Sequence, residues 1–156
     1  MKNDFYQPLM DYAFRLLGGR AYSEEKLHQK LALRARKLKL DKPAPLLEKI
    51  TARLKELNYL NDDRLLNDYF EYRLKNRPVG KFLFLHDMHR RGIPIKKARA
   101  EWEKRNMDEL PLAKELLSQK GRQFEKLPPV LRKNKIVRFL ASRGFSPETV
   151  WELADS

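Results

Sequence analysis

Lysines and arginines crowd the middle of this sequence at a density that could hold an anion. Lys75, Arg77, Lys81, Arg90, Arg91, Lys96, Lys97 and Arg99 follow one another closely, and only Asp87 opposes them up to residue 99. Such a set can track the phosphates of a nucleic acid or an acidic protein surface, and phosphate contacts make affinity fall steeply with salt. Arg132, Lys133, Lys135 and Arg138 extend the set further along the chain. A solvated surface is the competing reading of any basic run. Within the run lies Phe82-Leu83-Phe84-Leu85. On a helix, Phe84, Leu85 and Met88 share one face, and Phe82 falls opposite, beside His86 and His89. An exposed aromatic there is a candidate for docking on a protein or stacking on a base. Burial of both faces, in a segment packed on two sides, is the favoured alternative.

Other chemistries find little support. His86 and His89 stand one helical turn apart, but with no cysteine and no third ligand nearby, no metal or other cofactor is expected. Asp62-Asp63 resembles a catalytic pair only superficially, because acids at a helix start have a structural role and no nucleophile or base accompanies them. Gly-rich phosphate loops and nucleophile motifs do not occur, so no catalytic residue is assigned and the chain is not expected to be an enzyme. Arg20, Arg73 and Lys120 suit the carbonyl ends of helices. Tyr59, Tyr69, Tyr72, Trp102 and Trp151 are read as packing residues.

The whole composition agrees with an anionic partner. The chain has 156 residues, with 34 Lys+Arg against 21 Asp+Glu and a formal net charge of +13. Residues 74–106 alone contribute over half of that excess. Summed charge of this size concentrates and steers counter-charges such as nucleic acid. The start, Met1-Lys2-Asn3-Asp4-Phe5, has no signal-like apolar core, and no apolar run approaches the ~20 residues of a membrane span. A cytoplasmic, monomeric protein with no membrane association is expected.

The elements that must position these residues read as helices throughout. Apolar residues recur at helical spacing, and no stretch alternates with period two. Phe5, Leu9, Tyr12, Ala13, Leu16 and Leu17 line a first helix that ends at Gly18-Gly19. Ser23-Glu24-Glu25 opens a second, Pro43 and Pro45 a third with the stripe Leu47, Ile50, Leu54 and Leu57, and Asp62-Asp63 a fourth. Pro78-Val79-Gly80 breaks the fourth, Arg91-Gly92 ends the fifth, and Ile93-Pro94, Asp108-Glu109, Pro128-Pro129 and Ser146-Pro147-Glu148 open four more.

These nine helices align as three copies of a three-helix unit. First helices match as Ala13…Leu17…Arg20, Leu66…Phe70…Arg73 and Ala113…Leu117…Lys120; second helices match as Leu27…Leu31, Phe84…Met88 and Ile136…Leu140. Arg91-Gly92-Ile93 and Arg143-Gly144-Phe145 follow in the later copies, with glycine suited to close a helix. The first copy lacks that glycine and runs on through Leu33–Pro43, read as a longer, more basic second helix. The expected fold is therefore all-α: three tandem three-helix repeats (1–60, 61–106 and 107–156) stacked into an elongated, curved array.

Several motifs together resemble the RecX family. Tyr59-Leu60-Asn61-Asp62-Asp63-Arg64-Leu65 is similar to that family's tyrosine–leucine–acid–acid–arginine signature, and Tyr22-Ser23-Glu24-Glu25-Lys26-Leu27…Lys30-Leu31 to its first-repeat motif. Gly80…Met88…Arg91-Gly92-Ile93 resembles the second repeat, and Arg138-Phe139-Leu140-Ala141-Ser142-Arg143-Gly144-Phe145-Ser146 the third. Departures are Asn61 in place of an acid, Leu66 in place of a small residue, and Pro78-Val79-Gly80-Lys81 without the usual glycine–proline pair. The resemblance implies a non-enzymatic regulator that binds along the groove of the RecA–DNA filament, limiting its growth and dampening recombinase, ATPase and co-protease functions. It thereby implies a role in recombination, DNA repair and the SOS response. The alternative from charge alone is a stand-alone basic helical module that binds DNA independently of RecA.

Overall fold

The computed structural model describes residues 4–156; Met1, Lys2 and Asn3 of the N-terminal stretch lie outside them. Among the described residues the secondary structure is helical, without strands. Three helices come first: α1 (Tyr6–Gly19), α2 (Glu24–Lys37) and α3 (Ala44–Glu56). The fourth helix, α4, starts as Asp62–Asp68, passes through a π-helical turn at Tyr69–Arg73 and ends with the turn Leu74–Asn76. Then come α5 (Lys81–Arg90), α6 (Ile95–Lys104), α7 (Glu109–Glu125), α8 (Pro129–Ser142) and α9 (Pro147–Ala154). Residues 4–65 and 91–93 form one compact unit; 66–90 and 94–156 form a second.

In the first unit α1, α2 and α3 pack mutually around Leu9, Met10, Leu27, Leu31, Leu47, Ile50 and Leu54. The α3 stripe differs from its sequence expectation at one end: Leu46 and Thr51 are buried, whereas Leu57, already past the helix, is 41% exposed. Ser23 caps α2 as its residue type suggests, accepting from the Lys26 amide at 3.1 Å. The basic segment after Leu33 does not extend α2 beyond Lys37; at 14 residues α2 is longer than α5, with 10, but equals α8. A turn follows, with Lys39 and Lys42 in the left-handed region at φ 58° and 47°.

The core of the second unit has an aromatic half and an aliphatic half. Tyr69, Phe70, Phe84 and Trp102 form a chain of tilted ring contacts with centroids 5.0–6.2 Å apart. Such pairs add to the area they bury. The π turn feeds this cluster: the Leu74 amide bonds back to Tyr69, and Tyr69, Phe70 and Leu74 are all buried. A π turn spreads five residues where four would stand, letting more of them face one side. Around α7, α8 and α9, Ala113, Leu116, Leu140, Phe145 and Val150 make the second half.

Of the five aromatic residues read as packing, Tyr69 and Trp102 are buried, but Tyr59, Tyr72 and Trp151 are 51%, 67% and 48% exposed. Tyr59 and Tyr72 stand one turn or less from helix ends or polar faces, where helical spacing alone says little about burial. Lys120 is not at a helix end, since α7 continues to Glu125; its ammonium lies over the Phe139 ring instead. Arg73 does meet a terminal carbonyl, donating to the Arg77 oxygen at 2.8 Å.

Helix starts are tied to distant acids in both units. The first-turn residue Asp62 of α4 accepts from the Glu24 amide that begins α2, at 3.0 Å. Its neighbour Asn61 caps α4 itself, accepting from the Arg64 amide at 3.1 Å. Glu109, the first residue of α7, repeats the device on α5, accepting from the Lys81 amide at 3.0 Å. It also receives the Ser146 amide and the Thr149 hydroxyl at the start of α9. Glycines complete both arrangements. Gly92, at φ 82°, lies against Ser23 and Lys26; Gly144, at φ 83°, lies against the backbone of Leu83. The Arg143 and Gly144 carbonyls accept from the Gly80 and Phe82 amides at 2.8 and 3.1 Å.

Candidate functional site

The basic residues singled out in the sequence fall into three groups by their surroundings. Lys75, Lys81 and Lys133 are ion-paired, with Glu71, Glu103 and Asp155 respectively. Lys133 also lies over the exposed Trp151 ring, 5.6 Å from its centroid. Arg90, Arg91, Lys96, Lys97, Arg99, Lys135 and Arg138 are exposed, and Arg132 is half-buried. Arg77, exposed at the end of α4, is brought together with Arg73 and Arg143.

Where these cations sit on their helices is more telling than their exposure. α2, α7 and α9 start with the capping side chains Ser23, Asp108 and Ser146, and with acids in the first turn. α6 and α8 start at Pro94 and Pro128, with no side-chain cap and no acid in the first turn. Lys96 and Lys97 occupy the first turn of α6; Arg132 and Lys133 follow within the next turn of α8. A cation at the positive end of a helix costs about 0.3–1 kcal/mol. Helix stability therefore does not explain Lys96 or Arg132, whereas an external anion would be favoured by both the side chains and the helix ends.

Phe82 is 60% exposed, with His86 and His89 exposed on the same side of α5, so the favoured burial of both faces does not occur. Phe84 and Met88 occupy the core face, and Leu85 is half-buried. The physical reason is that α5 has a packed side facing Phe70 and Trp102 and a free side facing solvent. No group of three or more histidines and acids that could hold a metal occurs among the described residues.

Sequence reading missed two features. One is a set of cation–ring contacts in the first unit: Arg15 and Arg34 lie over Tyr12, Arg20 over Tyr22, and Lys49 over Tyr6. The nearness in sequence of Arg15 to Tyr12 and of Arg20 to Tyr22 was the available signal for two of the four. The other is Arg143, whose guanidinium lies over Phe139 at 5.4 Å while its Nε is buried without a hydrogen-bond partner.

Comparison with known proteins places this architecture. The family described as "RecX, third three-helix domain" matches residues 107–153, which hold α7, α8 and all but the last residue of α9. A relative named regulatory protein RecX, from Escherichia coli O9:H4 (strain HS), is 29% identical over 153 residues, covering 95% of this chain and 90% of the relative. Another of the same name, from Chlorobaculum tepidum, is 29% identical over 146 residues, covering 92% of this chain and 84% of the relative. The crystal structure of RecX from Lactobacillus salivarius shares the fold with a TM-score of 0.77, at 17% identity, over 97% of this chain and 96% of that one. No helix among the described residues is long and apolar enough to cross a membrane. With its motifs, its all-helical structure and its likeness to proteins named regulatory protein RecX along almost its whole length, the chain is similar to the RecX family throughout.

Proposed function

We propose that this protein binds the RecA–DNA filament and inhibits RecA recombinase, ATPase and co-protease activity without itself being a catalyst. The observation that supports this most is the likeness to proteins named regulatory protein RecX over 95% of the chain. The uncapped, cation-bearing starts of α6 and α8 supply a physical means, since they would meet the acidic or phosphate surface of a nucleoprotein. Phe82, exposed on α5, would add an apolar anchor beside them. In this reading the chain bridges neighbouring filament subunits and blocks the groove, so its effect is steric and electrostatic.

The test is RecA's hydrolysis of ATP on single-stranded DNA with this protein added well below one molecule per RecA. Strong inhibition is expected, and the triple reversal Lys96→Glu, Lys97→Glu, Arg99→Glu is expected to abolish most of it. Inhibition that begins only when the protein is abundant enough to coat the DNA would instead support the independent DNA-binding module. Full inhibition by the triple variant would remove the start of α6 from the contact surface.

A further inference from the structure

The end of α4 and the turn between α8 and α9 bring three arginines together. Arg73 lies at the close of the π turn and Arg77 one helical turn later, where the helix ends. Arg143 sits in the α8–α9 turn, held there by its own backbone, whose carbonyl accepts from the Gly80 amide at 2.8 Å. Arg73 is already oriented by its bond to the Arg77 carbonyl. Arg143 is oriented by the Phe139 face beneath it. No carboxylate bonds or pairs with any of the three among the described residues.

That arrangement is unfavourable as it stands. Like charges repel, and a buried N–H donor without an acceptor forfeits its desolvation cost. The Nε of Arg143 is such a donor. Burial first, and then the charges of Arg77 and Arg73, hold the Arg143 guanidinium below its usual basicity. Elsewhere in the second unit the opposite solution is used: Arg105 is bracketed by Glu101 and Glu71. Three guanidiniums on two fixed backbone segments, with spare donors and no acid, instead fit a group that brings several acceptor oxygens and negative charge.

We propose that Arg73, Arg77 and Arg143 form a binding site for a phosphate group. Arg143 and Arg77 donate from their outer guanidinium nitrogens, Arg77 on the solvent side, and Arg73 supplies charge from the π turn. Of the three, only Arg77 belongs to the basic set considered above, and the site does not rest on binding to RecA.

The experiment follows the arginine side-chain N–H signals of the full chain by NMR while inorganic phosphate is added, with sodium chloride at matched ionic strength as reference. The Arg143 Nε signal is expected to move saturably with phosphate and not with chloride, and thermal unfolding to shift upward in phosphate only. Arg77→Gln changes an exposed residue, so its fold is retained, and it should weaken the phosphate response roughly tenfold. A signal that stays still, moves equally in chloride, or responds equally in the variant would overturn the site. A short single-stranded oligonucleotide without terminal phosphates separates the sources. If it moves the same signal, the occupant is a nucleic-acid backbone phosphate; if only inorganic phosphate does so, the occupant is a free phosphate or small phosphoester.

Discussion

Gly144 shows how much of this molecule turns on single positions. Its φ of 83° is one that side-chain-bearing residues avoid, and a Cβ there would overlap the backbone nitrogen of Leu83. Gly144→Ala should therefore destabilise the chain by more than about 1 kcal/mol, combining backbone strain with steric conflict. Gly121, inside α7 with open space around its Cα, should behave oppositely, with Gly121→Ala stabilising by about 0.5–1 kcal/mol. Paired chemical denaturation curves test both signs. A titration gives a second residue-scale check. The Glu71 carboxyl is held below its ordinary value, first by its hydrogen bond and charge contact with Lys75, then by Arg105. A carboxylate lowered in the folded state adds stability above its unfolded value and loses it as pH falls through the folded one. The Glu71 NMR titration midpoint should thus lie below that of an ordinary glutamate and climb in Lys75→Ala. Residue types made some of this legible: Ser23 and Ser146 announce caps, and both cap. Arg143 could be read only as part of a motif, because its buried Nε depends on Phe139 and on a turn that periodicity does not describe.

At the scale of elements, the sequence disclosed where helices begin and end better than what each end meets. The starts at Ser23, Asp62, Asp108, Pro129 and Ser146 follow from capping types, prolines and acids, and the structure has them there. The π turn at Tyr69–Arg73 left no such signal, although it carries Phe70 into contact with Phe84 and Trp102. Nor did the partners of Asp62 and Glu109, which lie 38 and 28 residues away in sequence. One carboxylate at Glu109 serves the starts of α5 and α9, with bonds of 3.0 and 3.3 Å to their amides. Glu109→Ala should cost about 1–3 kcal/mol, because it leaves part-buried donors unpaired at two helix ends. Asp62→Ala, which serves one amide, should cost less, about 1 kcal/mol. Hydrogen exchange would separate the cases: protection should fall at Lys81 and Ser146 in the first variant and at Glu24 in the second.

Over the whole molecule, charge is the property that sequence and structure report most alike. The net charge of +13 is uneven along the chain, and most of the central cations are exposed in the folded protein. The proposed contact with DNA should therefore weaken steeply as salt rises. Replacing Lys96, Lys97 and Arg99 by alanine should flatten the logarithmic salt dependence on single-stranded DNA by roughly two units if each meets a phosphate. Fluorescence anisotropy of labelled single-stranded DNA at several salt concentrations measures that slope. A slope equal to that of the unaltered protein would place these three residues away from DNA. The all-helical class was legible because period 3.6 runs along nearly every segment, and the repeat because the same spacing returns three times. Which cations pair internally was not legible: Lys75, Lys81 and Lys133 each have an acid within reach, and nothing in their local sequence marks them out.

The acceptors at the start of α5 have a consequence in time. Its first amides, at Gly80, Lys81 and Phe82, find their oxygens on Arg143, Glu109 and Gly144, all of which leave the ribosome later than α5 itself. At roughly 5–20 residues per second, that helix start waits ~3–12 s for its final partners. A nascent or truncated chain that stops before Arg143 therefore displays an unfinished α5, with Phe82 beside open amides. Completion of the last two helices is the event that closes it.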